Sequence, residues 1–444
     1  MKLNKDQQNA YEKILKMFSN QDQQIIIIRG PGGTGKSHII VQFIKQYEKL
    51  VGKTCLTAPT NKAVDVLNNF STKVGRKIET ATIYSLLGLV VGKEGEVKRT
   101  FSANEGSFDQ FQTIVLDEGS MAGMQLCDII DDKMQEYPHS KIIVMLDHCQ
   151  LPPVNESITQ LLNMGEIVDL TEDMRSGNGP LLQIKRAVRD LTEARIDGNK
   201  SKELQIQFET SLDETDSGVH FLRGAEFDSA MLDMFDSEQY KADPNFVRAL
   251  AWTNKEVDRL NRIIRMRIYG KGCKPYMPGE RMAVMNPVFY ENDQVFATDE
   301  EVTVLEMVEG EYTDYMDSES KDPTYKIYRM KLKSAVTGVE YMVPVLHEES
   351  VRKFNRRCEF IADQCREKKR PWKSFWDFKD DTFVSIRPAH AMTVHKSQGQ
   401  TLNCVFVNMK DLMRNKNPVE RAQLVYVATS RPTTDLVVNL KTFY

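Results

Sequence analysis

One eight-residue loop constrains this 444-residue chain more than any other feature. Gly30-Pro31-Gly32-Gly33-Thr34-Gly35-Lys36-Ser37 reads GxxxxGKS. It follows the apolar run 24–29, which holds four consecutive isoleucines, and it precedes residues 36–47, whose apolar positions return at helical spacing. A strand, such a loop and a helix in that order present backbone N–H groups to phosphate oxygens, and glycines allow the close approach. Lys36 would reach the outer phosphates and the Ser37 hydroxyl would ligate Mg²⁺. The plainer reading, a glycine-rich turn with no ligand, leaves the flanking strand and helix unexplained.

The surrounding pattern is α/β. Ala10, Ile14 and Phe18 share one face of an opening helix. Buried-looking strands are expected over 54–57, 113–116 and 142–146, the last two ending in Asp117 and Asp147. Ligands of open α/β sheets gather at the carboxyl ends of strands, so both aspartates stand where chemistry is expected. Between these strands, residues 89–101 read as a β-hairpin around Gly92-Lys93-Glu94-Gly95. The α/β pattern resumes with a strand over 247–251 and a Thr253-x-x-Glu256 capping box, followed by Val257, Leu260, Ile264 and Ile268.

From 279 to 346 the period changes to two. Tyr328, Met330 and Leu332 alternate with Arg329, Lys331 and Lys333 across from Val339, Tyr341 and Val343. That predicts an antiparallel β module inserted into an α/β domain. Within it, 299–320 carries nine acids and no base and is expected to face solvent. Residues 351–373 reverse this, with nine bases against three acids. The Cys358, Ile361 and Cys365 spacing there predicts a helix with one packed side, and Trp372 and Trp376 are expected to anchor it to the β module.

Composition narrows the rest. Hydrophobic residues at 41% and charged residues at 27% exclude a disordered tail, a collagen and a membrane bundle. No apolar run approaches the ~20 residues of a membrane span, and the polar N-terminus lacks a signal core, so a cytoplasmic location is expected. A net charge of −4 disfavours a protein that coats a polyanion by bulk charge, so any nucleic-acid site must be a local groove. Seven scattered cysteines without a CxxC predict reduced thiols, with neither a disulfide framework nor a zinc knuckle. His148, with no second ligand cluster, reads as a strand-end residue.

Behind a P-loop, the pair Asp117-Glu118 suits two tasks: Asp117 for the Mg²⁺ shell and Glu118 for orienting water. Further strings follow in order. They are Gly119-Ser120-Met121, Asp147-His148-Cys149-Gln150-Leu151-Pro152-Pro153-Val154, Thr393-Val394-His395-Lys396-Ser397-Gln398-Gly399-Gln400-Thr401 and Tyr426-Val427-Ala428-Thr429-Ser430-Arg431. In this order and spacing the chain resembles the superfamily 1B DNA helicases of the RecD-like group. Pro371-Trp372-Lys373-Ser374-Phe375-Trp376-Asp377 is similar to the small Dda-type phage helicases in particular.

The resemblance implies two RecA-like P-loop NTPase domains with an inserted β-hairpin, or pin, and an inserted SH3-like β module. The first domain would span 1–172 with the hairpin at about 88–103, the second 173–278 and 381–444, and the module with its basic helical extension 279–380. ATP and Mg²⁺ are the implied cofactors. Gln7 aligns with an adenine-reading glutamine, although Asn4 and Gln7 could equally form a helix cap. Gly30, Gly32, Gly33, Thr34, Gly35, Lys36, Ser37 and Gly399 would line the nucleotide, with Ser37 and Asp117 on the metal. Lys36, Glu118, Gln150, Arg175 and Arg431 would be catalytic, Gln150 sensing the γ-phosphate and the two arginines balancing charge on the transferring phosphoryl. Arg431 could instead only favour a helix dipole.

Single-stranded DNA contacts would come from Thr57, Pro59, Thr60, Asn61, Thr82, Tyr84, Thr253, Asn254, Thr393, His395, Lys396 and Gln398, residue types suited to sequence-blind sugar–phosphate contacts. Helix capping is the plainer role for Thr60, Asn61 and Thr253. The family usually has His at Tyr84, Gly at Leu146 and a larger residue at Gly119. The implied partners are single-stranded DNA and its junctions with duplex, and no membrane, with single-strand-binding or replication proteins as further candidates. The implied state is a monomer, acting in a host cytoplasm if phage-encoded. A P-loop kinase, a non-motor DNA-binding accessory ATPase and an RNA helicase are the rival readings.

Overall fold

A computed structural model describes residues 3–73, 78–91, 97–99, 106–153, 156, 158–172, 174, 179–199, 201, 205–290, 293–314 and 322–443. It divides into two compact units. The first joins Met1–Val90, Val97–Leu260 and Ala391–Tyr444, and the second is built on Asn261–His390.

The first unit contains two lobes, each with a six-stranded sheet. In the first sheet the order is Glu79–Thr82, Thr54–Ala58, Thr113–Leu116, Lys141–Leu146, Ile25–Arg29, Glu166–Asp169. Every pairing is parallel. The four isoleucines of Ile25–Arg29 are buried because the strand is central and covered on both faces. The helices Lys5–Ser19 and Lys36–Gln46 lie on one face, where Ala10, Ile14, Ile40 and Phe43 pack with Ile26 and Ile28. The opposite face packs Ile27, Ile114 and Val144 against Leu126 and Ile130 of the helix Met124–Glu136. The alternation of strand faces thus feeds two separate cores.

The second sheet runs Ser211–Leu212, Gly218–Phe221, Pro432–Val438, Leu402–Val407, Val247–Ala251, Ala391–Thr393 and is parallel except at Ser211–Leu212. Two helices, Pro180–Ile196 and Pro418–Ser430, pack together over it, burying Val188, Leu191, Val425 and Leu424. Both sheets have the parallel order expected of RecA-like domains. A two-stranded sheet of Leu89–Val91 and Val97–Arg99 occupies the expected hairpin position, and its turn 92–96 lies outside the described residues.

The second unit is a five-stranded antiparallel sheet, ordered Glu340–Leu346, Thr324–Ser334, Glu301–Thr313, Arg281–Val284, Ile386–Pro388. Met330, Leu332, Val302 and Val304 form its core, as the period-two pattern requires. Two expectations are corrected here. Glu300 and Glu301 are buried rather than solvated: Glu300 accepts from the Ser334 hydroxyl, and Glu301 pairs with Arg281 at 2.9 Å. Glu306, Glu309 and Glu311 of the same acidic run are exposed, and 315–320 lies outside the described residues. Trp372 and Trp376 are exposed and contact Phe375. The helix Glu348–Arg366 is instead tied down by Phe354, Ile361 and Cys365, which pack with Phe375, Phe378, Phe383 and Tyr325.

Candidate nucleotide and nucleic-acid site

The P-loop connects Ile25–Arg29 to Lys36–Gln46. Gly33 and Gly35 adopt positive φ, and a Cβ on Gly30 would lie 2.3 Å from the Leu170 carbonyl oxygen. Only glycine fits that approach. Lys36 Nζ donates to the carbonyls of Gly30 (2.6 Å) and Pro31 (3.0 Å), bonds it can exchange for phosphate oxygens. Gln7, buried, donates from Nε2 to the Thr34 carbonyl at 3.1 Å. Its other groups complete a reciprocal capping box with Asn4.

Asp117 and Glu118 follow the strand Thr113–Leu116. The Ser37 hydroxyl lies beside the Asp117 carboxylate and favours its charged form. Two hard oxygen donors side by side beneath a phosphate cradle fit Mg²⁺. Both carboxyls are raised above the usual range. Burial is the main cause for each; at Glu118 the charge of Asp117 adds to it, while Arg431 and Lys36 pull the other way. Glu118 is non-glycine yet sits at φ 52°, ψ 37°, a left-handed conformation that costs free energy and re-aims the side chain. Gly119 follows because a Cβ there would come 2.6 Å from Val144 Cγ1, which accounts for a glycine where a larger residue is common.

Asp147 is the carboxylate at the end of Lys141–Leu146. Gln150 lies one turn beyond it, with its N–H donating to the Asp147 carbonyl at 3.0 Å. Its Oε1 is buried with no hydrogen-bond partner among the described residues. Asp147, His148 and Cys149 offer ligand atoms within 4.8 Å of one another. The Asp147 oxygens, however, already accept from Arg189, Tyr426 and the Cys149 N–H.

The second lobe meets this site at several points. Arg431 is buried, donating to the carbonyls of Val427 and Gln400 and to the Ser430 hydroxyl. Gly399, at φ 70°, brings its backbone so close that a Cβ would be 3.2 Å from Ala63 Cβ and 3.8 Å from Glu118 Cγ. Lys185 Nζ donates to the Gly32 carbonyl at 2.8 Å, Gln423 to the Gln150 carbonyl at 3.1 Å and Gln398 to the Leu151 carbonyl at 3.1 Å. Arg175 lies outside the described residues. Sequence reasoning missed Lys185, Arg189 and Gln423, which lie in no recognisable string. Arg189 and Lys185 are at (i, i+4) on a helix, a spacing shared by countless surface pairs.

The positions expected to meet nucleic acid divide in two. Thr57 is fully buried, its hydroxyl donating to the Val115 carbonyl, and Pro59 is buried beside it. Gln398 and Thr393 are buried; Thr393 accepts from the Lys396 N–H. Thr60, Thr82 and Thr253 cap helices through the N–H groups of Ala63, Ser85 and Glu256. Tyr84 packs on the first-lobe core, and burial pushes its phenol up to about 12. Asn61, His395 and Lys396 are half-buried and Asn254 is exposed. Thr253 is held further: Asp411, itself buried, accepts from the N–H groups of Trp252 (2.9 Å) and Thr253 (2.8 Å) and from the Thr253 hydroxyl.

Comparison with known proteins bears on the fold that carries this site. Residues 2–207 match the family described as AAA domain, 274–388 the Dda helicase SH3 domain and 388–438 the UvrD-like helicase C-terminal domain. The "ATP-dependent DNA helicase dda" of Enterobacteria phage T4 is 27% identical over 466 residues, covering 98% of each chain. An uncharacterised protein, R530, of Acanthamoeba polyphaga mimivirus is 24% identical over 496 residues, covering 98% of this chain and 99% of its own. A Bacteroides Pif1 helicase crystallised with ADP-AlF3 and ssDNA shares the fold, with a TM-score of 0.51 at 14% identity over 98% of this chain and 92% of that one. Together these matches make the chain similar to the Dda helicase along nearly its whole length, in agreement with the resemblance read from its motifs. Its inserted β module is of the Dda SH3 type.

Proposed function

We propose that the chain is an ATP-dependent DNA helicase that moves 5′ to 3′ on single-stranded DNA and separates the strands at a junction. The observation that carries this reading is the meeting of two lobes over one P-loop. Lys36, Asp117, Glu118 and Gln150 come from the first lobe, while Arg431 and Gly399 come from the second. A kinase acting on a small acceptor needs no second lobe with a buried arginine beside its carboxylates. The Dda and Pif1 relatives support DNA over RNA, and polarity follows the family resemblance.

In this mechanism Gln7 reads the adenine edge, and the P-loop N–H groups and Lys36 hold the phosphates. Mg²⁺ held by Ser37 and Asp117 would neutralise charge shared by the outer phosphates. Glu118 takes the proton of the attacking water, Gln150 Oε1 accepts a hydrogen bond from that water, and the Gln150 amide NH2 donates to the γ-phosphate. Lys36, Arg431 and Arg175 offset the charge spread over the transferring phosphoryl; such an arginine is worth about 10³–10⁵ in rate in related NTPases. Closure of the lobes thus assembles the site, and hydrolysis lets them part. Thr60, Asn61, Asn254, His395 and Lys396, which are half-buried or exposed, are proposed as the part of the DNA track that solvent reaches, alternating grip as the lobes move. The hairpin at 89–101 is proposed as the pin, and the enzyme as a monomer of the cytoplasm.

The test is steady-state ATPase with and without an unstructured oligodeoxythymidine. Stimulation of about tenfold or more, lost in Lys36→Ala, is expected. Label from the γ-phosphate appearing on an acceptor instead of as free phosphate would favour the kinase. Equal stimulation by oligouridine would favour the RNA reading.

A further inference from the structure

Between the two lobes lies a polar cluster that the roles above leave unused. Asp147 of the first lobe is 1% exposed, and two side chains of the second lobe close on it. Arg189 Nη1, from the helix Pro180–Ile196, reaches Oδ1 at 2.8 Å. The Tyr426 hydroxyl, from the helix Pro418–Ser430, donates to Oδ2 at 2.7 Å. Arg189 Nη1 also donates to the Tyr426 oxygen at 3.0 Å, and its Nη2 is fixed by Glu193 at 2.9 Å. Every oxygen and the charge are satisfied within the group, which is what makes a buried ion pair tolerable.

The cluster is wired at both ends to catalytic groups. Asp147 Oδ1 accepts the Cys149 N–H at 3.2 Å and the Asp147 carbonyl accepts the Gln150 N–H, so this carboxylate shapes the turn that presents Gln150. Tyr426 precedes Val427, whose carbonyl accepts Arg431 Nε at 3.1 Å. Gln423, one turn earlier on the same helix, holds the Gln150 carbonyl. A rigid helix therefore carries Tyr426, Gln423 and Arg431 together, and Asp147 carries the Gln150 turn.

We propose that Arg189 and Tyr426 form a clasp on Asp147 that makes the placement of Gln150 and of Arg431 at the phosphoryl group a single event. Both are positioning residues: neither needs to touch nucleotide. The inference rests on the helicase reading above, because it assumes that closure of the lobes is a step of turnover. The clasp favours the closed arrangement only if its bonds form there and break on opening.

The test compares Tyr426→Phe, which removes one oxygen, and Arg189→Lys, which keeps the charge but cannot bridge Asp147, Tyr426 and Glu193 together. Thermal midpoints establish folding, and kcat and KM for ATP are measured at saturating oligodeoxythymidine. The clasp predicts at least a fivefold loss of kcat in either folded variant with KM within twofold. It also predicts that Gln150→Ala/Tyr426→Phe loses less than the product of the two single losses, because the Gln150 part of the effect is already gone. A folded variant with wild-type kcat, or a double variant with multiplied losses, would overturn it. Should neither variant fold, hydrogen exchange on the unaltered protein decides. On adding ADP with aluminium fluoride, residues 147–151 and 424–430 must gain protection together; a gain in one alone overturns the clasp. Wild-type turnover indifferent to DNA would count against the helicase reading, whereas the exchange result bears on the clasp alone.

Discussion

Gln7 and Thr34 are joined by a 3.1 Å hydrogen bond from the glutamine Nε2 to the P-loop carbonyl, while the same side chain's Oε1 accepts the Asn4 N–H at 3.2 Å. One side chain therefore ends a helix and braces the phosphate loop. The two roles predict separable losses. Gln7→Ala should raise KM for ATP severalfold and, by loss of a cap, lower stability by about 1 kcal/mol. Asn4→Ala should show the stability loss with a smaller change in KM. Equal KM effects in the two variants would assign Gln7 to capping alone.

Glu118→Gln keeps the shape of the side chain and removes the base. ATP binding should persist while turnover falls about 10²–10⁴-fold, the usual reach of general-base catalysis. Fluorescent-nucleotide titration beside single-turnover hydrolysis separates the two, and parallel loss of both would remove Glu118 from the base role.

Gly119→Ala would place a methyl 2.6 Å from Val144 Cγ1. Overpacking of this kind costs about 1–3 kcal/mol. Because Glu118 precedes it in a left-handed conformation, turnover should suffer more than the melting temperature does. A variant with normal thermal midpoint and normal kcat would show that the strand end yields easily.

Asp411 gathers three donors from Trp252 and Thr253. Asp411→Ala should strand them at about 1–3 kcal/mol for each group left unpaired. Affinity for single-stranded DNA, read by fluorescence anisotropy, should weaken about tenfold, the equivalent of roughly 1.4 kcal/mol, with KM for ATP unchanged. Unaltered DNA affinity would remove the Thr253-Asn254 turn from the track.

Asp147 yields a pH prediction. Burial pushes its carboxyl up, but the charges of Arg189 and Lys36 and the bonds from Arg189 and Tyr426 hold it below its ordinary value of 3.8. A folded-state value below the unfolded one means that the group stabilises the fold above the unfolded value. That stabilisation is lost as pH falls through the folded one. Melting temperatures from pH 6 to pH 3 should therefore fall more steeply in the wild type than in Asp147→Asn. Parallel curves would mean that the network contributes no pH-dependent stability.

What could be read from the sequence was local. The strand 247–251, the strand 113–116 and the P-loop are each specified by a short run of neighbours, and the structure has them as Val247–Ala251, Thr113–Leu116 and the turn before Lys36. The β module was legible because period two is written along every strand. The clasp was not, since Asp147 and Tyr426 lie 279 positions apart and neither residue type implies the other. Trp372 and Trp376 misled for a related reason. Large aromatics suggest anchoring, yet the helix face that packs is chosen by Ile361 and Cys365, and Phe375 and Phe378 lie nearer that core. The buried Glu301 became tolerable only through Arg281, a partner set by strand register.

Gly399 brings backbone of the second lobe within a methyl's width of Ala63 and Glu118. A methyl there would press on Ala63, so in the proposed closure that missing carbon lets the two backbones meet. A larger residue there would act as a shim, holding the jaws ajar so that ATP could be gripped without being spent. In the proposed cycle, how far the two lobes can close would then be decided at this one position.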